Sequence, residues 1–289
     1  MSGPLLIADV PWLLYRSYFA LPKSITGSDG APVNALLGTV NAILAVIESS
    51  DDPIRAVAAC MGAEEARYRV ELYPAYHAHR DPMPPELRSQ WELAPGLLAS
   101  MGWSFATSDE LEADDLMFSF AREEAEHGGS ALLLSGDRDM YGAVSPEVSV
   151  VSVRRGEPLA LIGPEQVREI YGIEPRQVPD LIALRGDPSD GLPGAPGVGA
   201  KTAASLLAEH GTLEAVLAAA DAGEMRPKIA RALTENAALL ADFRHIATLQ
   251  RVQVERPVDA ATDFAGGAAA ASRLGMGRLS ERLAKLATA

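Results

Sequence analysis

The residues best suited to chemistry in this chain are acidic side chains at four separate places. Each group follows a short apolar run, opens a helical pattern, or lies in a turn rich in glycine and proline. Oxygen-rich sets without histidine or cysteine favour hard cations such as Mg²⁺ or Mn²⁺. Two such ions about 4 Å apart activate a water and stabilise the leaving oxygen in phosphodiester hydrolysis. The eight candidate metal ligands are Asp9, Glu112, Asp114, Asp115, Asp137, Asp139, Asp187 and Asp190.

Each acidic group also has a purely structural explanation. Asp9 could cap the helix that begins near Pro11, and from these residues alone the two roles stay equally open. The acids from 109 to 115 suit the N-terminus of a helix, and Asp137 could cap a turn. Five acids in seven residues exceed what capping needs, however, and crowded carboxylates repel one another unless a cation lies among them. Metal binding is therefore the favoured interpretation of the 109–115 cluster.

A glycine-rich loop, GAPGVGAKT, follows Asp187 and Asp190 and leads into an apolar helix. Its glycines allow the backbone to approach another molecule closely, and backbone N–H groups at a helix N-terminus bind phosphate. The loop has no side chains that could read bases, so it predicts contact with a duplex backbone without sequence preference. Its candidate binding residues are Gly194, Gly197, Gly199, Lys201 and Thr202.

Basic and aromatic residues alternate between 64 and 88. This mixture suits single-stranded nucleic acid, whose bases stack and whose phosphates pair with cations. A solvated surface of arginines with some core tyrosines explains the same pattern, so both readings stay open. Four prolines predict an irregular segment, followed by a helix to about residue 101, and the segment could form a mobile flap over the sheet.

Short apolar runs alternate with helical patterns in the front half of the chain, which predicts an α/β fold with a mostly parallel sheet. Sites in such folds lie outside the carboxyl ends of the strands, where the acids fall. We expect a turn at 154–156, helices from 163 onward, a weak helix or loop at 260–271, and a final helix at 274–287. The expected strands are 5–9, 55–61, 103–107, 131–135 and 148–153, with a last one at 252–255.

Composition narrows the class of protein. A chain of 289 residues with 48% hydrophobic residues can bury a sizeable core. Its net charge of −14 argues against a generic nucleic-acid binder, although local patches decide binding. The single cysteine, Cys60, fits a reducing cytoplasm. The N-terminal sequence does not resemble a signal peptide, and the apolar stretch at 35–47 is too short to span a bilayer.

In order and spacing, these motifs resemble the polymerase I-type 5′ nucleases, the bacterial family of 5′–3′ exonucleases and flap endonucleases. The motifs are YPAYHAHR, MPPEL, LEADD, GDRDM and GDPSDGLPGAPGVGAKTA, and they cover nearly the whole chain. With no polymerase domain after them, they resemble the stand-alone members. The resemblance implies a monomer with a PIN-like core at 1–160, in which 74–101 forms a helical arch that admits a 5′ single strand. It also implies a helix-hairpin-helix region at 161–250 that binds duplex DNA and K⁺, and a segment at 251–289 that packs back on the core.

The resemblance also assigns roles to individual residues. It implies that the eight acids bind metal and that DNA with a 5′ flap or 5′ end is the substrate. Residues near the reacting phosphate would be Arg16, Tyr76, His77 and Arg80. Further DNA contacts would come from Arg67, Arg69, Gly194, Gly197, Gly199, Lys201 and Thr202.

Three positions depart from the family pattern. Gly62 stands where an aspartate is usual, His77 replaces a lysine, and Gly191 replaces an asparagine. The first change removes one metal ligand, and the second replaces a fixed cation with a group that titrates near pH 6.5. If these departures limit activity, Gly62→Asp and His77→Lys should raise it.

The sequence therefore predicts a metal-dependent 5′ nuclease that acts on 5′ flaps and 5′ ends of duplex DNA in replication or repair. An alternative is a structure-selective DNA-binding protein with weak or no catalysis, motivated by Gly62 and His77. The eight acids oppose it, because their negative charge repels phosphate. A PIN-like ribonuclease is a third possibility, but the glycine hairpin suits a DNA duplex.

Overall fold

Strands of buried, mostly aliphatic residues form the centre of the protein. The computed structural model describes residues 3–153 and 159–288, and the turn predicted at 154–156 lies outside them. The described chain contains a six-stranded sheet in the order β3-β2-β1-β4-β5-β6, parallel except for β6. Its strands are β1 (Leu5–Asp9), β2 (Ala56–Met61), β3 (Ser104–Thr107), β4 (Ala131–Leu134), β5 (Val148–Ser152) and β6 (Ala160–Ile162).

Helices cover both faces of this sheet, which confirms the predicted α/β class. Those of the front half are α1 (Val10–Ala20), α2 (Asn34–Ser49), α3 (Arg67–Leu72), α4 (Pro85–Ala99) and α5 (Ala113–Glu126). The later helices are α6 (Pro164–Tyr171), α7 (Val178–Arg185), α8 (Ala200–His210), α9 (Leu213–Asp221), α10 (Pro227–Glu235), α11 (Ala237–Ala247), α12 (Phe264–Arg273) and α13 (Gly277–Leu286).

The central strands divide their side chains between two hydrophobic cores. Every residue of β1 is buried, and alternate side chains point to opposite faces because a strand has a period of two. Leu5 and Ile7 join α5 and helices α7, α8 and α11 in one core. Leu6 and Ala8 join α1, α2, α4 and the two last helices in the other. The helical rear of the chain therefore shares its core with the sheet.

Three expectations for the C-terminal part were wrong or incomplete. Residues 252–255 form no strand, and Val252 N–H donates instead to the Ser119 hydroxyl at 3.0 Å. The final helix begins at Gly277 instead of 274, after Gly275, which adopts φ +75 where the backbone passes close to Ser28. The small residues at 264–271 form the well-packed helix α12, because they allow a close approach to neighbouring side chains such as Met101.

The segment expected as a mobile flap is also different. Helix α4 buries Leu87, Gln90, Ala94 and Leu98, and its side chains join the core with α1 and α2. Gln90 accepts a hydrogen bond from the Ala35 N–H at 2.7 Å. Within the irregular stretch 73–84, Met83 is buried in this same core and Tyr76 in the other. Within the described residues, no helix is long and apolar enough to cross a bilayer.

A buried ion-pair network fastens the C-terminal segment to the sheet. Arg55, next to β2, pairs with Glu124 of α5, and each of these side chains is 1% exposed. Arg55 also donates to the Pro257 carbonyl at 2.7 Å, and Arg256 pairs with the same glutamate at 2.9 Å. Removing one partner would leave a buried charge poorly compensated.

We expect Arg55→Met to lower the free energy of unfolding by about 3 kcal/mol, the lower end for a broken buried pair because Arg256 still contacts Glu124. The measurement is urea unfolding followed by circular dichroism. Arg251→Ala is the matched control, since this arginine pairs with Glu126 at the surface and should contribute less than about 1 kcal/mol. Equal losses in the two variants would contradict this account of the network.

Candidate active site

The parallel strands deliver acids from distant parts of the sequence to one edge of the sheet. Asp9 ends β1, and the Asp137 and Asp139 pair follows the neighbouring strand β4. Glu112 caps α5, the helix after β3, and two more acids lie in its first turn. The carboxyl ends of parallel strands meet at one edge, which is where sites form in α/β folds.

Asp9 caps α1, which is one of the two roles that the sequence left open, and its carboxylate lies at the acidic edge of the sheet. Its Oδ1 accepts a hydrogen bond from the Trp12 N–H at 3.0 Å, so it caps α1, and its Oδ2 accepts from the Ser135 hydroxyl at 2.7 Å. Burial, with a smaller effect of the nearby carboxylates of Asp114 and Glu112, raises the pKa of Asp9 to about 6, although its two hydrogen bonds act in the opposite direction. Ser135 was missed from the sequence, although it directly precedes the GDRD motif.

The front and rear acids interact across one cleft. Burial raises the pKa of Asp139 well above its ordinary value, and Asp137, Asp190 and Asp187 raise it further. Asp137 reaches solvent at the cleft surface, yet loss of hydration and repulsion from Asp190 raise its pKa too. Acids about 50 positions apart in the sequence therefore repel one another in space.

A tight turn holds the two rear acids. Reciprocal hydrogen bonds of 2.8 Å between the backbones of Asp187 and Leu192 close the turn. The carboxylate of Asp187 accepts from the Ser189 N–H and hydroxyl, and Asp190 Oδ1 contacts Arg80 at 3.2 Å. Gly186 is required here, because its φ is +80 and a Cβ would lie 2.5 Å from the Leu192 carbonyl oxygen.

Arg69 occupies a different environment from the one predicted. Its side chain is 3% exposed, and its guanidinium contacts Glu112 at 2.9 Å and Asp115 at 3.1 Å. A group buried among carboxylates cannot contact phosphate, so the expectation that Arg69 binds DNA is not supported by this geometry. Tyr76 lies beside it and donates to Glu112 at 3.2 Å.

The His77 side chain is buried between Tyr76 and Asp190. Its ring stacks on Tyr76 at 3.8 Å, its Nε2 lies 3.1 Å from Asp190 Oδ1, and its backbone N–H donates to the Asp190 carbonyl. It holds a positive φ of 54, which is unusual for a residue with a Cβ. Gly191 allows this packing, because a Cβ there would lie 3.0 Å from the Ala75 carbonyl oxygen.

The backbone of the α5 cap fills the space beside Gly62. A Cβ at position 62 would lie 2.4 Å from the Leu111 carbonyl oxygen and from the Glu112 carbonyl carbon. The Ala63 N–H donates to that same Leu111 carbonyl at 2.8 Å, so the two segments are joined. No side chain fits at position 62 without a backbone shift, so we expect Gly62→Asp not to supply a metal ligand.

The glycine hairpin before α8 divides into buried and exposed parts. Gly194 is buried, and a Cβ there would lie 2.3 Å from the Gly186 nitrogen, so it is needed for packing. Gly197 and Gly199 are exposed with open space beside them, and Lys201 is exposed in the first turn of α8. Arg67 is exposed and pairs with Glu71 at 2.7 Å, while the Arg16 guanidinium lies over the Trp12 ring.

The donor set fits a hard divalent cation in its chemistry. All eight predicted ligands are carboxylates, and burial together with crowded negative charge raises the pKa values of Asp9, Asp137 and Asp139, which a cation would relieve. As these side chains stand, no three His, Cys, Asp or Glu side chains in residues 3–153 and 159–288 converge on a single metal position. Glu112, Asp114 and Asp115 turn toward Arg69 instead.

Comparison with known proteins matches both halves of the chain. Residues 4–172 match the family described as 5′-3′ exonuclease, N-terminal resolvase-like domain, and residues 173–265 match its C-terminal SAM fold. The chain belongs to the 5′–3′ exonuclease family. The resemblance inferred from its motifs is confirmed.

Individual relatives agree with this membership. The family member from Mycobacterium tuberculosis named 5′-3′ exonuclease is 37% identical, over 91% of this chain and 87% of that protein. DNA polymerase I of Mycobacterium bovis is 36% identical over 86% of this chain, which spans only 27% of the polymerase. A bacteriophage T5 flap endonuclease, solved with DNA and metal ions, shares the fold at a TM-score of 0.67 and 18% identity, covering 99% of this chain and all of that one.

The crowded backbone beside Gly62 gives a stability test in this family member. We expect Gly62→Ala to lower the free energy of unfolding by about 1–3 kcal/mol through overpacking, and Gly62→Asp to lower it without any gain in nuclease activity. Gly96→Ala is the control, because this exposed glycine of α4 has nothing within 4 Å of its Cβ position and alanine favours helix. Unfolding in urea measures both, and a neutral Gly62→Ala would contradict the close approach.

The raised carboxyl pKa values predict a pH-dependent response to metal. These carboxyl groups bind protons more readily in the folded protein than in the unfolded chain, so proton binding stabilises the fold at low pH. That contribution to the free energy of unfolding is lost as pH rises through about 6 to 7. A metal ion must compete with those protons. We therefore expect Mg²⁺ to raise the melting temperature more at pH 8 than at pH 6, with KCl of equal ionic strength as the control. A shift of the melting temperature of the same size at both pH values would contradict the view that these carboxylates bind the ion.

Proposed function

We propose that this protein is a divalent-metal-dependent 5′ nuclease that hydrolyses phosphodiesters at 5′ flaps and 5′ ends of duplex DNA. The observation that carries the proposal is the meeting of front and rear acids in one cleft, on a chain of the 5′–3′ exonuclease family. The phage relative with the same fold binds DNA and metal ions, which supports the same substrate class and cofactors here. We place the enzyme in the cytoplasm, as a monomer that serves replication or repair.

The acids that are not held by Arg69 would hold Mg²⁺ or Mn²⁺, namely Asp9, Asp137, Asp139, Asp187 and Asp190. Bound ions supply Lewis acidity and lower the pKa of a coordinated water. Ser135 and Ser189 orient two of these carboxylates through hydrogen bonds, which limits the rotations that would cost binding free energy. The Ser135 hydroxyl does this for Asp9, and both polar groups of Ser189 do it for Asp187.

Several basic groups border this cleft and would orient the scissile phosphate. The Arg80 side chain is 46% exposed while it contacts Asp190, so it can turn toward a phosphate. Asp190 would then keep its contact with His77. Arg16 projects from α1, the helix that Asp9 caps. Tyr76 supports Glu112 and Arg69 and would act by positioning them, as His77 would for the turn that carries Asp190.

The exposed part of the hairpin would hold the duplex. Gly197 and Gly199 leave room for a phosphate beside the backbone, and the N-terminus of α8 presents free N–H groups to it. Lys201 and Thr202 follow in the first turn of this helix, and a K⁺ ion could share the same phosphate. We propose residues 1–160 as the catalytic core with its arch segment at 74–101, residues 161–250 as the duplex-binding region, and residues 251–289 as a segment that packs on the core.

The alternative of a DNA-binding protein without catalysis is less well supported. Eight carboxylates remain around the cleft, and a binder of phosphate gains nothing from that negative charge. Gly62 loses its force as an argument, because the neighbouring backbone occupies the space that a ligand there would need.

The direct test is incubation with 5′-flap DNA and Mg²⁺ or Mn²⁺. We expect cleavage near the flap junction, and we expect Asp139→Asn to reduce its rate by at least about 100-fold, because several kcal/mol of charge stabilisation depend on such ligands. Asp221→Asn, at the exposed end of α9, is the control and should cleave normally. Wild-type protein that binds flap DNA but cleaves neither DNA nor RNA flaps with either metal would overturn the proposal, and preference for RNA flaps would favour a ribonuclease.

A further inference from the structure

Three of the eight acids already surround a cation that belongs to the protein. The Arg69 guanidinium lies 2.9 Å from Glu112, 3.3 Å from Asp114 and 3.1 Å from Asp115. The side chain of Asp115 is fully buried, and those of Glu112 and Asp114 are 15% and 20% exposed. The negative charge of these three acids is therefore partly compensated by Arg69 before any metal ion binds.

The guanidinium is fixed in position by its surroundings. Its Nε donates to the Tyr68 hydroxyl at 2.9 Å, and the Tyr68 ring packs edge-on against His245 of α11. Its position in α3, a helix that buries this one arginine, leaves little freedom for the side chain to turn outward. Such a group behaves as a permanent part of the cluster, unlike a surface arginine that exchanges partners with water.

The acids around it are fixed as well. Glu112 accepts from the Ala66 N–H at 2.9 Å and from Tyr76. Asp115 accepts from the Gln250 N–H at 2.7 Å, which ties the cluster to the chain after α11. These donors hold the carboxylates in the orientation in which they surround the guanidinium.

The opposite half of the cleft is compensated less completely. Asp190 is contacted at 3.2 Å by Arg80, which is 46% exposed, and Asp187 lies 3.8 Å from Arg185. Burial raises the pKa values of Asp137 and Asp139, and the charge of Asp190 raises both further. The acid cluster is thus asymmetric, with a buried guanidinium on one side and more exposed arginines on the other.

We propose that Arg69 is a built-in counter-ion that occupies the place of a divalent cation among Glu112, Asp114 and Asp115. It is a positioning residue, which holds these three acids together and leaves the Asp137 and Asp139 side as the main site for divalent ions in the DNA-free protein. This inference rests on the proposed metal-dependent function and deepens it. Its physical basis is that a guanidinium and a divalent ion compete for the same carboxylate oxygens.

The test is Mn²⁺ binding to the full-length, DNA-free protein, measured by electron paramagnetic resonance and by calorimetry. We expect Arg69→Gln to bind one more Mn²⁺ per chain than wild type, or to bind Mn²⁺ at least about tenfold more tightly, since the freed acids recover their negative charge. Arg69→Lys keeps the charge and should bind Mn²⁺ as wild type does. Arg251→Gln removes a surface arginine that pairs with Glu126 and is the matched control.

Loss of the buried guanidinium could also unfold the Arg69→Gln variant, so the folded state of this variant is a second readout. If Arg69→Gln is unfolded in metal-free buffer, Mn²⁺ should restore its circular dichroism spectrum, whereas wild type should gain much less stability from the ion. Mn²⁺ binding to the folded variant that is equal to or weaker than in wild type would overturn the counter-ion role. An unfolded variant that Mn²⁺ does not rescue would overturn it too.

These outcomes separate the inference from the proposed function. A wild-type protein that cleaves flap DNA, with an Arg69→Gln variant that gains no affinity for Mn²⁺, contradicts only the counter-ion role. A wild-type protein that shows the expected Mn²⁺ behaviour but cleaves no flap contradicts only the proposed nuclease function.

Discussion

Repulsion among carboxylates that share one partly dehydrated cleft is the constraint on which the rest of this structure depends. Isolated ionised groups are costly to remove from water, and like charges nearby increase that cost. The protein responds in three ways. It raises the pKa values of several acids, directs serine hydroxyls and backbone N–H groups at others, and buries Arg69 among three of them. The same repulsion makes the cleft suited to hard cations.

The departures from the family pattern are connected to this packing. Gly62 lies where the backbone leading into α5 crosses β2, and that crossing brings Glu112 within reach of Arg69 and Tyr76. Gly191 gives space to the segment that carries His77, whose ring then rests between Tyr76 and Asp190. At Gly62 and Gly191, neighbouring backbone occupies the space that a side chain would need. Judged one at a time, they read as losses; in the structure they belong to a tighter arrangement.

The two halves of the chain are joined through the site as well as through the core. The turn that carries Asp187 and Asp190 contacts Arg80 and His77 from the front half, while Gln250 reaches back to Asp115. Helices α7 and α11 share a hydrophobic core with β1 and α5. The position of the glycine hairpin relative to the acids is thereby set by packing between the two halves of the chain.

The sequence alone determined the α/β class, most of the strands and helices, and the family, because apolar periodicity and closely spaced motifs are local properties of the chain. It also placed acids at strand ends, and parallel topology then requires them to meet. It did not determine that 252–255 runs without a strand partner, that Arg69 faces acids instead of DNA, or that Gly62 has no room for a side chain. Those outcomes depend on contacts between residues that are far apart in the sequence, and only tertiary packing decides which of them meet.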